Sequence, residues 1–164
     1  MSVDVFSEGE KLFIKHGVED DCRADGRRCL EYRQLEIETN VLTNCHGSAH
    51  VRVGSTDLLV GVKAELSEPS KDEPNLGLVE FCADFSANAS PAFEGHGGED
   101  IVNELIAVLC NSVQPAIDRS CLCVTPGRSV WTLYVDILVL EFASKPNLFD
   151  ASSFGVFAAL FDTK

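Results

Sequence analysis

The chain has 164 residues, 45% of them apolar and 24% charged, the balance of one soluble globular domain with its own core. A formal charge of −13 argues against a free-standing nucleic-acid binder, because phosphate contacts need Lys and Arg; any work on RNA needs partners that supply the positive field. No run reaches the ~20 apolar residues of a membrane span, and the stretch from Met1 to Glu8 has neither the basic flank nor the apolar run of a secretion signal.

Ser7 followed three residues later by Glu10 predicts a capped helix start, with Leu12, Phe13 and His16 on one face. Residues 34–42 alternate, with Leu35, Ile37, Thr39 and Val41 facing one way, which predicts a half-buried strand. A second strand over 48–53 turns Ala49, Val51 and Val53 inward and Ser48, His50 and Arg52 outward. Gly54-Ser55 then makes a tight turn into a third strand, Thr56–Leu66, whose inward row is Leu58, Val60, Val62, Ala64 and Leu66. A polar loop over 67–75 leads to a fourth strand, Leu76–Phe85.

Gly95-His96-Gly97-Gly98 approaches a helix with a stripe of Ile101, Leu105, Val108, Leu109, Ser112 and Val113. Trp131–Glu141 is apolar on both faces and reads as a central strand. Asn147–Phe161 closes as a helix that packs through Leu148, Ala151, Gly155 and Ala159 or Leu160. The predicted class is an α+β sandwich, with helices on one face of a mostly antiparallel sheet. The seven cysteines are scattered without a C-x-x-C pair, so they predict reduced thiols of an intracellular protein and no zinc site. Cys82 and Cys110 read as small core residues.

Several short stretches occur in a telling order. They are Arg23-Ala24-Asp25-Gly26-Arg27, Gly47-Ser48-Ala49, Gly54-Ser55-Thr56-Asp57, Gly61-Val62-Lys63-Ala64-Glu65, Phe93-Glu94-Gly95 and Leu133-Tyr134-Val135-Asp136. From Gly9 to about Leu160 the chain resembles the ribonuclease PH-like family, and within it a non-catalytic ring subunit of the RNA exosome. The resemblance implies a ribonuclease PH-like fold, also called ribosomal protein S5 domain 2-like. It implies a helix and arm over residues 1–20 and the family's first domain over 21–164. It further implies a ring of six such subunits around an RNA channel, with cap proteins on top, in the nucleus, nucleolus and cytoplasm. RNA would be met mainly through the assembled complex.

Two departures bear on chemistry. Active relatives carry Asp-Gly-Gly-Thr-Arg before the helix that follows the central strand, where backbone N–H groups and an arginine hold phosphate. The matching stretch, Glu141-Phe142-Ala143-Ser144-Lys145-Pro146-Asn147, has no glycine pair and no arginine. Lys145 offers a point charge, and Pro146 removes a donor. The family's metal-binding and acid/base carboxylates lie in its second half, and Lys164 falls inside the first. The expectation is therefore no catalytic, metal or cofactor residue, and apolar faces that need partners.

Arg28, Arg33 and Lys145 are the candidate contacts to RNA or to neighbouring subunits. Arg23, Asp25, Gly26, Arg27, Gly47, Ser48 and Ala49 form the structural motif, with Asp25 expected to pair with an arginine. His96 and its neighbours Glu99 and Asp100 suit a helix start better than a phosphate cradle. Asp136 reads as a hydrogen-bonded structural residue, and Ser90 and Ser129 lack a nucleophile context. His46 and His50 are expected to be exposed. Trp131 and Tyr134 are expected as core or interface anchors, with base stacking the alternative if they are exposed. Alternatives to a scaffold are a phosphorolytic 3′-to-5′ exoribonuclease and a small interaction protein outside the ring.

Overall fold

The computed structural model describes residues 6–86, 89, 98–142 and 145–164, leaving aside the side chains of Lys145 and Pro146. The expectations for Ser90, His96 and Phe93-Glu94-Gly95 lie outside the described residues. Two compact units divide the chain, Met1–Arg33 and Gln34–Lys164.

In the first unit, helix α1 (Glu8–Glu19) begins at the predicted capping box. Glu10 N–H donates to Ser7 Oγ at 3.3 Å, and Ser7 N–H donates to the Glu10 carboxylate at 2.7 Å. Each bond satisfies a donor that a helix start otherwise leaves open. Leu12, Phe13 and His16 are exposed, and no residue of α1 is buried.

In the second unit the sheet has six strands among the described residues, in the order β1-β2-β3-β6-β4, with β5 beside β6. Strands β1 (Leu35–Thr39), β2 (Gly47–Val53) and β3 (Thr56–Ser67) form the predicted antiparallel meander. Val53 pairs with Thr56, so Gly54-Ser55 is the whole turn, and Gly54 takes φ +60°. Strand β6 (Ser129–Glu141) runs antiparallel to β3 along its full length and parallel to β4 (Leu78–Phe85). A parallel pair needs a long crossover, and helix α2 (Glu99–Val113) lies in it. The sheet is thus mostly antiparallel and β6 is central, as expected.

Helix α3 (Lys145–Asp162) lies across β2 and β3, and α2 lies against β4, on the same inner face of the sheet. Ala49, Val51 and Val53 from β2 meet Leu58, Val60 and Val62 from β3, all at most 1% exposed. Val135, Ile137 and Val139 continue this row on β6. Leu148, Ala151, Val156 and Ala159 of α3 close over it. Each such Val or Leu contributes about 1.5–3 kcal/mol over leaving it in water.

Several expectations change. Strand β1 stops at Thr39 and is exposed at every residue, because it is an edge strand that α3 barely reaches. Leu66, expected inward, is 59% exposed because the helices end before it. On α2 the buried residues are Leu105 and Leu109, while Val108 and Ser112 face solvent. Cys82 is exposed, since β4 turns it to the face without helices. The short strand β5 (Cys123–Thr125) and the 3-10 turns Gln114–Ala116 and Arg119–Leu122 had no expectation. Their lengths are too short to show periodicity.

Candidate functional site

The charged turn of the first unit is a closed hydrogen-bonded loop. Arg23 N–H donates to Arg27 O at 2.8 Å, and Gly26 N–H donates back to Arg23 O at 2.9 Å. Gly26 sits at φ +83°, a conformation that side chains resist. Arg27 donates through Nε and Nη2 to Asp25 Oδ2 at 2.9 and 2.8 Å, and through Nη1 to Glu31 O at 2.8 Å. Its guanidinium holds the Asp25 carboxyl below the ordinary value. Arg23 Nη2 donates to Cys29 O. Arg23 and Arg27 therefore spend their donors on the turn itself. Arg28 is exposed and Arg33 half-buried, and among the described residues neither side chain has a hydrogen-bond partner. Lys145 opens α3, and its side chain lies outside the described residues.

The Gly47-Ser48-Ala49 motif is where β2 receives the end of α3. A Cβ on Gly47 would strike the Ala159 carbonyl and Thr163. Ser48 N–H donates to Asp162 Oδ2 at 3.2 Å, and Ser48 Oγ accepts from Leu42 N–H at 2.9 Å. Ser48, expected outward, points outward but is fully buried. The preceding connection folds back over it, bringing Leu42 and Cys45 beside Gly61. Ala49 has a side chain small enough to sit in the inner row.

The face of the sheet away from the helices carries a network absent from the sequence reading. Asp57 is 7% exposed. His50 Nε2 donates to its Oδ1 at 2.6 Å, and Arg52 Nε and Nη2 donate to its Oδ2 at 3.2 and 2.8 Å. Glu36 stands 3.6 Å from Arg52, and Glu38 4.0 Å from His50. The hydrogen bonds to Asp57, then its charge, push the Arg52 guanidinium higher still. The hairpin register pairs Arg52 with Asp57, so a turn fixed at Gly54-Ser55 was the signal that would have found it. His50 is consequently half-buried, against its expected exposure, whereas His46 is exposed.

Asp136 is also on this face, exposed, and accepts no hydrogen bond from the described residues. The structural role expected for it is not borne out. Burial, then the charge of Asp84 and last that of Asp136, pushes the Cys82 thiol up. Glu80, Asp84 and Asp136 occupy neighbouring positions on β4 and β6. This strip repels phosphate.

A family model described as the 3′ exoribonuclease family, domain 1, matches residues 31–164. The chain belongs to that family. Among relatives of this 3′ exoribonuclease domain, the exosome complex component Rrp42 of Methanocella arvoryzae is 37% identical over 100% of this chain and 63% of its own length. The Rrp42 component of Thermococcus kodakarensis is 40% identical over 87% of this chain and 52% of its own. The chain therefore spans about half to two-thirds of the length of these relatives. Its fold matches a chain of the Archaeoglobus fulgidus exosome with RNA bound to the active site, with TM-score 0.82 and 35% identity over 93% of this chain and 60% of that one. An archaeal exosome core matches with TM-score 0.75 and 32% identity, over 93% and 57%.

Proposed function

We propose that this 3′ exoribonuclease family domain serves as a non-catalytic subunit of an exosome core ring, supporting 3′-to-5′ RNA processing and degradation. Its partners are neighbouring ribonuclease PH-like subunits and cap proteins, and RNA reaches it through the assembly. The observation that carries this reading is similarity to Rrp42 exosome components across the whole chain, joined to a β6–α3 connection without the family's phosphate motif. Helix α3 starts at Lys145, so its first turn holds Pro146, which has no N–H to offer an anion. The connection Glu141–Asn147 contains neither glycine nor arginine.

The chain's charge supports the same division of labour. A domain at −13 with carboxylates across its open sheet face does not gather RNA alone.

Co-expression with ring-forming ribonuclease PH-like subunits, followed by purification of the complex, tests the assembly role. Stable incorporation is expected; recovery free of every exosome subunit would favour an interaction protein outside the ring. Incubation with 3′-tailed RNA and phosphate tests catalysis. No nucleoside diphosphate release is expected from this chain. Release that Lys145→Ala abolishes would establish a phosphorolytic enzyme instead.

A further inference from the structure

The connection between β3 and β4, residues 68–77, has neither helix nor strand. Pro69 and Pro74 hold the residues before them extended and take no part in strand pairing. Between them, Ser70, Lys71, Asp72 and Glu73 are all exposed. With the turn before β6 this loop encloses a groove of about 370 Å³, lined by Glu68, Ser70, Lys71, Pro74 and Arg128 among others. Gly127 N–H donates to Pro74 O at 2.9 Å and ties the loop to the turn.

Ser70 brings to this groove a hydroxyl that makes no hydrogen bond among the described residues. Ser67, the nearest other serine, is half-buried and bonded to Thr132 Oγ1 at 2.6 Å. Lys71 and Arg128 are exposed and have no carboxylate partner among the described residues. Elsewhere Arg27, Arg52 and Arg119 each hold an acid, Asp25, Asp57 and Glu73. Glu68 is the acid that lines the groove, so its two cations leave it positive in a chain of charge −13. A phosphate dianion supplies what these cations lack.

The residues after Ser70 have the opposite sign. Asp72 and Glu73 stand two and three positions on. Arg119 holds Glu73 at 3.0 Å, yet the Glu73 side chain stays 46% exposed. An accessible serine on an extended loop, followed closely by acids, matches a kinase cleft lined with basic side chains.

We infer that Ser70 is a phosphorylation site for an acid-directed serine kinase, and that Lys71 and Arg128 clamp the phosphate once it is made. The γ-phosphoryl group of Mg-ATP passes to Ser70 Oγ. The Oγ–P bond forms, the bond from the γ-phosphorus to its bridging oxygen breaks, ADP leaves, and the hydroxyl proton goes to the kinase's base. Arg128 then offers a two-pronged donor and Lys71 a point charge. The clamp adds a charged link beside the Gly127–Pro74 bond and fastens the β3–β4 loop to the turn before β6. Glu68 opposes it. The site stands whether or not the chain joins a ring.

The full chain is incubated with an acid-directed serine kinase and Mg-ATP, and the phosphate is placed by peptide mass spectrometry. Incorporation at Ser70 is expected, lost in Ser70→Ala and mostly lost when Asp72→Asn and Glu73→Gln are combined. Ser7 is the comparison within the chain. It also precedes acids, Glu8 and Glu10, but its hydroxyl is bonded to the Glu10 carboxylate at 2.8 Å. Phosphate on Ser7 in preference to Ser70, or none on Ser70, would overturn the site.

Phosphorus NMR tests the clamp. Phosphoserine at 70 should titrate below the value of about 6 for a free phosphomonoester, because neighbouring cations favour the dianion. Lys71→Ala with Arg128→Ala should restore about 6 while Ser70 is still phosphorylated, and Glu68→Gln should lower the midpoint further. Amide exchange around Ser70 and Arg128 should slow roughly tenfold or more on phosphorylation, and only with both cations present. A phosphoserine that titrates like the free ester and leaves exchange unchanged would overturn the clamp.

Discussion

The β3–β6 pair is one continuous ladder with two fates. Near its start, Leu58 faces Val139 under α3, and both are at most 1% exposed. Near its end, Leu66 faces Trp131 on the same side of the sheet, and both are exposed. Alternation within the strand is the same at both ends. The difference is the reach of the helical layer, which is a tertiary fact. Strand pattern fixes which side a residue points to; only the opposing layer decides whether that side is dry.

The largest effect should come from testing this contrast directly. Leu58→Ala removes a fully buried side chain and is expected to cost about 2–5 kcal/mol of unfolding free energy, set by how far α3 can settle into the gap. Leu66→Ala is expected to stay within about 0.5 kcal/mol. Equal losses in urea denaturation would mean that the two ends are equally covered.

A second contrast lies within the open face. Asp57 is buried between His50 and Arg52, whereas Asp136 is exposed and accepts no hydrogen bond from the described residues. Asp57→Ala strips the acceptor from two donors and should cost about 1.5–3 kcal/mol. Asp136→Ala should leave the melting curve nearly unchanged. A large effect at Asp136 would restore the structural role read for it from the sequence.

The sequence carried most of the architecture. Alternation in β2 and β3 and the apolar run of β6 were sufficient because each strand has one face against the core for most of its length. The β1 reading of a half-buried strand failed because Leu35 and Ile37 have the right pattern but no layer opposite. Burial of Asp57 was legible only through pairing register, since a carboxylate among alternating residues looks like any outward charge. Gly47 stands in a legible motif, but its reason, the close pass of α3, joins residues far apart in sequence and carries no local signal.

That junction gives the third test. A side chain at position 47 meets the Ala159 carbonyl rather than a flexible tip. Gly47→Val is therefore expected to cost about 1–3 kcal/mol and to expose amides in the last turn of α3 to exchange. The same substitution at Gly26 adds no clash, since nothing lies within 4 Å of its Cβ position, but forces a branched residue to φ +83°. Its effect should stay local to the Arg23–Arg27 turn, and spread of exchange into the second unit would contradict this.

The smallest effect separates the two polar devices of the first unit by pH. The Ser7 hydroxyl, then the Ser7 N–H, hold the Glu10 carboxyl below its ordinary value of 4.5. A carboxylate with a depressed value stabilises the folded form above its ordinary value and loses that contribution as pH falls through the lowered one. The first turn of α1 should thus be fully formed at neutral pH and fray as the solution is acidified below about 4.5, seen in the chemical shifts of Glu8 to Lys11. Glu10→Gln should flatten that dependence. Asp25→Asn should leave it intact while removing the acid sensitivity of the Arg27 amide, because Asp25 is lowered chiefly by Arg27. Fraying of α1 that persists in Glu10→Gln would assign the sensitivity to some other carboxylate and break the capping-box account.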